Sequence, residues 1–238
     1  MRQTDVPYRW VLIDIGCGAG GTTIEVAALV GPMGCALGVD LDSEAIETAR
    51  RRALGLPQVR FLVGDAAEHA FEGAGADAVV SRFGTLHFRE PRAAFRNIRL
   101  GLRFDGRLAF VCARSPEQNL WATLPIEAAE RVLGPLSGPR AGQGPFAMAD
   151  AASVESILAD AGFHDIDFEP IDEPMWVGAH VQAAIETFSR TDGRALLHRL
   201  DPATRARVLA SLADALAPHE SGQGVLLPAA CWSVSARA

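Results

Sequence analysis

At 238 residues, 49% apolar and 21% charged, the chain has the composition of a soluble globular protein and suits one α/β domain with a sizeable core. Its formal net charge of -7 argues against non-specific nucleic-acid binding, which runs on basic surface. No apolar run approaches the roughly 20 residues of a membrane span, and Met1–Tyr8 lacks the apolar centre of a signal peptide, so a cytoplasmic protein is expected.

The first predicted element is the run Val11-Leu12-Ile13-Asp14-Ile15, four apolar residues around one aspartate. It is too short for a helix, and its continuous apolarity suits a parallel strand buried on both faces. Gly16-Cys17-Gly18-Ala19-Gly20-Gly21 follows, then apolar residues at helical spacing from Thr22 to Val30, which reads as strand, tight loop, helix. Gly16 allows the turn off the strand, Gly18 lets a ligand approach bare backbone, and Gly20 or Gly21 lets the helix start pack closely on the sheet. The helix start then offers N–H groups and the positive end of its dipole to an anionic group. Gly16, Gly18 and Gly21 also satisfy G-x-G-x-x-G, so the glycines alone leave a dinucleotide, another nucleotide-type ligand or a ligand-free turn open.

Asp14 begins to separate these. Asp14-Ile15-Gly16-Cys17-Gly18-Ala19-Gly20 resembles the first motif of class I S-adenosylmethionine-dependent methyltransferases, in which the acidic strand residue organises the loop and the methionine end of the cofactor. A carboxylate there suits a ligand with an ammonium and a sulfonium better than one with a pyrophosphate. In that family, helices usually precede the first strand and help to close over the cofactor; about nine residues precede it here, so either the start is truncated or the site is more open.

After the turn Gly31-Pro32-Met33-Gly34, Ala36–Asp40 is a second buried strand ending in a carboxylate. Asp40 stands about twenty residues past the loop, the distance at which an acid can accept from both ribose hydroxyls. Methyltransferases and NAD enzymes share that device. Leu41 is expected against an adenine face, and Asp42 or Ser43 can cap the helix Glu44–Arg50. Val59–Val63 is the third strand, and its exit Gly64-Asp65-Ala66 resembles the family motif in which the aspartate accepts from the adenine amino group and the next N–H reads the ring nitrogen. A plain helix-cap role for Asp65 is compatible with this.

Asp77–Gly84 is the fourth strand with the loop over the reacting centre. With Thr85–Pro91, the helix Arg92–Leu102 and the turn and fifth strand Arg103–Val111, it resembles a small-molecule branch related to ubiquinone- and menaquinone-biosynthesis methyltransferases. The resemblance thus places Asp14, Gly16, Cys17, Gly18, Gly20, Asp40, Leu41, Asp65, Ala66 and Ser81 around S-adenosylmethionine, with S-adenosylhomocysteine as product. The Asn/Asp-Pro-Pro-aromatic tetrapeptide of many base-methylating enzymes is missing, which lowers nucleic-acid adenine as a substrate.

From Ser115 to Pro145 the strand–helix rhythm breaks among Pro116, Pro125, Pro135, Pro139 and Pro145, around a predicted helix Leu120–Leu133. Loops of this kind at strand ends usually carry function. Met148–Ala161 is the next helix, ended by Gly162, and Phe163–Glu169 the next strand. Before a last strand predicted at Val225–Ala236, His180–Arg190 and Pro202–Leu216 have helical periodicity, with Asp201-Pro202 a good helix start. The whole predicts an α/β, Rossmann-like three-layer sandwich. Its mostly parallel seven-stranded sheet ends in an antiparallel strand, within a single domain 1–238 that carries a lid-like insertion (115–147) and a helical cap (174–222).

Cys17, Cys35, Cys112 and Cys231 are far apart and read as reduced thiols, with no metal site. All 22 basic side chains are arginine, which reads as base composition. His87, in the loop facing the reacting centre, is the candidate general base; an aromatic-sized pocket wall is the alternative. Arg82, Phe83, Trp121 and Trp176 are candidate acceptor-pocket residues. The expected activity is methyl transfer to O, N or C of a small organic acceptor. An NAD-dependent oxidoreductase and a non-catalytic cofactor-binding protein stay open, as does a homodimer.

Overall fold

The computed structural model describes residues 9–238 except 72, 74, 139–141, 143 and 192, so the readings of Met1–Tyr8 and Pro139 lie outside the described residues. Contacts divide the chain into two compact units, residues 1–112, 150–169 and 232–238, and residues 113–149 and 170–231.

The first unit is built on β1 (Val11–Ile15), α1 (Gly21–Val30), β2 (Cys35–Asp40), α2 (Ser43–Arg52), β3 (Val59–Val63), β4 (Ala76–Arg82), α3 (Pro91–Gly101), β5 (Leu102–Ala113), α5 (Ala151–Asp160), β6 (His164–Asp172) and β10 (Ala230–Arg237). Its seven strands run in the order β3-β2-β1-β4-β5-β10-β6. Parallel pairs join β3 to β2, β2 to β1, β1 to β4 and β4 to β5, and one strand of the sheet is antiparallel. The order reverses between β1 and β4, where the following connections leave for opposite faces and open a crevice at the strand ends.

Both faces of the sheet are covered, which is why its central strands are mostly apolar, with Asp14, Asp77 and Ser81 as buried polar residues among them. Ile13, Ile15, Val39, Ile46, Phe95, Ile98 and Leu108 are all buried. Asp42 caps α2, accepting from the N–H groups of Glu44 (2.8 Å) and Ala45 (3.1 Å). Asp77, buried in β4, accepts from the Val11 N–H at 2.8 Å and pairs with Arg103 at 2.6 Å, so the start of β1 is held against β4.

Three of the differences from expectation have a local cause. α5 begins at Ala151, not Met148, because Asp150 takes the cap position and accepts from the Ser153 N–H at 2.9 Å. β5 is longer than Arg103–Val111, and its register shifts where Asp105 adopts φ 59°, a bulge in the turn. The run Val225–Ala236 is two strands, β9 (Gly224–Leu227) and β10, in different sheets. Pro228 lies between them and has no N–H to continue a ladder.

The second unit gathers the two expected insertions into one body. It contains α4 (Leu120–Leu133), β7 (Met175–Gly178), α6 (Val181–Arg190), α7 (Arg194–Leu197), α8 (Pro202–Leu216), β8 (Glu220–Ser221) and β9. Leu124, Ala128, Ile185, Leu212, Leu216, Val225 and Leu227 form its core, beside the three-stranded sheet β7-β9-β8. Asn119, 0% exposed, is its polar pin. The side-chain amide donates to the carbonyls of Ser115 and Ala230 (both 3.0 Å), and its oxygen accepts from the Ala230 N–H (3.0 Å) and the Trp121 indole (2.8 Å). Asn119→Ala strands several of these buried groups, and stability is expected to fall by about 2–4 kcal/mol. An unchanged urea midpoint would contradict that.

Candidate functional site

The loop after β1 is stitched to the end of β2. The N–H groups of Gly16 and Cys17 both donate to the Val39 carbonyl, at 2.8 and 3.2 Å, and the Gly18 N–H donates to Asp40 Oδ2 at 2.7 Å. Asp40 Oδ1 accepts from the Asp42 N–H at 2.9 Å. Both carboxylate oxygens are thereby oriented, and each keeps acceptor capacity for a further donor.

Gly16, at φ 68°, faces the loop after β4. A Cβ there would run into the Gly84 Cα, and a Cβ on Gly84 would meet the Ile15 carbonyl. Two glycines are therefore needed for the chains to cross where the sheet order reverses. Ser81 locks the crossing: its hydroxyl donates to the Ile15 carbonyl at 2.8 Å and accepts from the Gly84 N–H at 3.1 Å. Gly20 is the N-cap of α1, where a Cβ would strike Phe61 and Ala49, whereas the space above Gly18 is open for 4 Å.

Asp14 lies beneath the loop, 1% exposed. Its Oδ2 accepts from the Thr23 hydroxyl at 2.6 Å, while Oδ1 has no hydrogen-bond partner among the described residues. Burial raises its pKa to about 6, against the opposing pull of the Thr23 hydroxyl and the Arg82 guanidinium. The Cys17 thiol is buried and pushed up to about 12 by burial and by Asp14 and Asp40. It is protonated at neutral pH and fills space beside Gly38.

A cavity of about 970 Å³ opens at these strand ends. Gly16, Asp40, Leu41, Asp65, Ala66, Arg82, Phe83 and His87 line it, so the structure brings eight of the sequence-predicted site residues together. Leu41 is 66% exposed. Asp65 Oδ1 accepts from the Ala67 N–H at 2.8 Å, and the Asn97 amide holds the same loop through the carbonyls of Ala66 and His69, at 3.1 and 2.7 Å. Phe83 is in the left-handed region (φ 64°), held by its N–H on the Val111 carbonyl at 3.0 Å, and His87 is exposed at the end of a 3-10 turn from Gly84. Trp121 and Trp176 belong to the second unit, where Trp121 stacks on Phe146 and Trp176 stands 58% exposed on β7.

Thr23, Gly84, Asn97 and Phe88 were not singled out by the sequence reading. Phe88 lines the cavity and packs edge-on to buried Phe95, with ring centroids 5.7 Å apart, tying the loop after β4 to the core. A small hydroxyl residue on the buried face of α1 was the one available signal for Thr23.

The family described as a methyltransferase domain matches residues 12–106, the span that carries every strand-end group above. Nocamycin O-methyltransferase of Saccharothrix syringae is 30% identical over 228 residues, covering 89% of this chain and 79% of that protein. Demethylmenaquinone methyltransferase of Staphylococcus aureus is 28% identical over 120 residues, 50% of this chain, and the chain spans only 49% of it. The YcgJ protein of Bacillus subtilis has the same fold, with a TM-score of 0.62 at 19% identity over 96% of this chain and 92% of that one. The chain belongs to the methyltransferase family. It is an S-adenosylmethionine-dependent enzyme of that family, and the dinucleotide reading of its glycine loop is set aside. The residues present fit the cofactor: a paired-acceptor carboxylate at Asp40, an exposed Leu41, an open face over Gly18 and a buried acid at Asp14 with one oxygen unpartnered. No helix among the described residues is long and apolar enough to cross a membrane.

Proposed function

We propose that this methyltransferase transfers its methyl group to an oxygen of a small organic acceptor, in the cytoplasm. The observation that carries the reading is the single cavity lining that joins Asp40, Leu41, Asp65 and Ala66 at one side to Phe83, His87 and Phe88 at the other. Support for oxygen comes from the O-methyltransferase relative that matches most of the chain. Support for a reducing compartment comes from four cysteines that are all free thiols.

Bound S-adenosylmethionine supplies an activated methyl on a sulfonium, so the protein's task is to position and to exclude water. Good positioning alone is worth roughly 7–11 kcal/mol. With the cofactor bound, Asp40 would receive the ribose hydroxyls, Asp65 and the Ala66 N–H would take the adenine edge, and Asp14 would serve the ammonium of the methionyl arm. Phe83 and Phe88 form the apolar wall of the acceptor end. His87 takes the proton that an acceptor hydroxyl loses as it attacks.

His87→Ala is expected to lower kcat by about 10²–10⁴-fold, the usual worth of a general base, and to leave cofactor affinity intact. Turnover at the wild-type rate would remove His87 as the base. The reading as a whole is tested by titrating S-adenosylmethionine, S-adenosylhomocysteine and NAD in parallel, then screening hydroxyl-bearing acceptors for methyl uptake. Cofactor binding with methyl transfer only to nitrogen or carbon acceptors would overturn the oxygen assignment.

A further inference from the structure

Arg82 is the last residue of β4, and its backbone is among the most firmly held in the site. Ser81 before it bonds both neighbouring loops, and Phe83 after it is tied to Val111. From this fixed base the side chain extends over the glycine loop. Its Nη2 lies 3.8 Å from the point where a side chain on Gly21, the first residue of α1, would begin. The guanidinium is exposed, lines the cavity and has neither an ion pair nor a hydrogen bond among the described residues. It still acts electrostatically on Asp14, across the loop.

An arginine with open donors beside a buried acid with one open oxygen is a pairing of opposite charges that do not neutralise each other directly. A diphosphate would meet the arginine but be repelled by Asp14, and a simple cation would meet the reverse. A group bearing ammonium and carboxylate on one carbon satisfies both. The first turn of α1 adds N–H groups without intrahelical partners on the arginine side. We infer that Arg82 binds the α-carboxylate of the cofactor's methionyl arm, with Asp14 on the ammonium of the same carbon. Arg82 is thus a cofactor-reading residue and not part of the acceptor wall. The inference rests on the cofactor reading above. Held at both charges, the arm cannot rotate, and the sulfonium keeps one orientation toward the acceptor end.

The test uses calorimetric titration of the wild type, Arg82→Met and Arg82→Lys with three probes. These are S-adenosylhomocysteine, its decarboxylated analogue S-adenosyl-3-thiopropylamine, and 5′-methylthioadenosine, which lacks the whole amino-acid end. The wild type is expected to prefer S-adenosylhomocysteine over the decarboxylated analogue by roughly 10- to 100-fold, the range for a hydrogen-bonded charge pair. Arg82→Met should lose that preference and keep its affinity for the other two probes, and Arg82→Lys should recover part of it. Unaltered S-adenosylhomocysteine affinity in Arg82→Met overturns the assignment and returns Arg82 to the acceptor. Equal weakening of all three probes in both variants overturns it in favour of a structural role. Failure of the wild type to bind S-adenosylhomocysteine at all would instead sink the cofactor reading itself.

Discussion

Replacing Asp40 with alanine is expected to raise the dissociation constant for S-adenosylhomocysteine by about 100-fold or more. The carboxylate stands at the end of β2 with Oδ2 on the Gly18 N–H and Oδ1 on the Asp42 N–H, so its plane is set before any ligand arrives. Each oxygen has a remaining lone pair for a ribose hydroxyl, and two charge-assisted bonds to a pre-oriented acceptor are worth about 3 kcal/mol or more together. Alanine removes those bonds and also frees the Gly18 N–H, loosening the loop that should cover the sulfur end. Asparagine has one acceptor oxygen for two backbone donors, so it should fall between the two. Thermal unfolding separates the effects: the loop contribution is about 1–2 kcal/mol of apo stability, well short of unfolding the sheet. A dissociation constant within threefold of wild type would remove Asp40 from the ribose site.

The legible part of this molecule is the part encoded in runs of adjacent residues. A buried parallel strand announces itself by a short, mostly apolar run, and a carboxylate at its end lies at the C-terminal edge, which is why β1, β2, β4 and Asp40 were found where the structure has them. The helices α4 and α8 were read at their observed bounds for the same local reason, periodicity and a start signal. What escaped depends on distant pairs. Val225–Ala236 is largely apolar, and although Pro228 marks a break in it, nothing local says that the part before the proline pairs with β7 in another sheet. Gly84 matters because Gly16 lies against it, 68 positions earlier in the chain. Asn119 looks like a loop polar residue until Ala230 arrives beside it. Likewise the two insertions had no sequence mark of sharing one core, because each supplies only part of it, Leu124 and Ala128 from the first and Leu212 and Leu216 from the second.

Asp14 gives the second large effect, and it is a dependence on pH. The buried carboxyl has its pKa raised from 3.8 to about 6, chiefly by burial, with Arg82 and the Thr23 hydroxyl pulling down and Asp40 pushing up. Because the folded value lies above the unfolded one, the apo protein binds the proton more tightly than the unfolded chain. The stability from this group is therefore full below pH 3.8 and is lost as pH rises through about 6. A shift of this size is on the order of 3 kcal/mol. Ligand binding carries the opposite sign, since an ammonium needs the ionised acid. Cofactor affinity should rise as pH increases through about 6, being roughly tenfold weaker at pH 5 than at pH 7.5. Binding near pH 6 should also release a proton, seen as a calorimetric heat that varies with the ionisation enthalpy of the buffer. Asp14→Asn keeps an acceptor for Thr23 but cannot charge. It should gain about 1–2 kcal/mol of apo stability at pH 8, lose roughly 10- to 100-fold in cofactor affinity, and show no dependence of either on pH across this window. A wild-type affinity that is flat from pH 5 to 7.5 would mean that Asp14 does not face the ammonium. A stabilised but poorly binding asparagine variant would mean that the strand carries a buried acid, at a cost to its own stability, for the sake of the ligand.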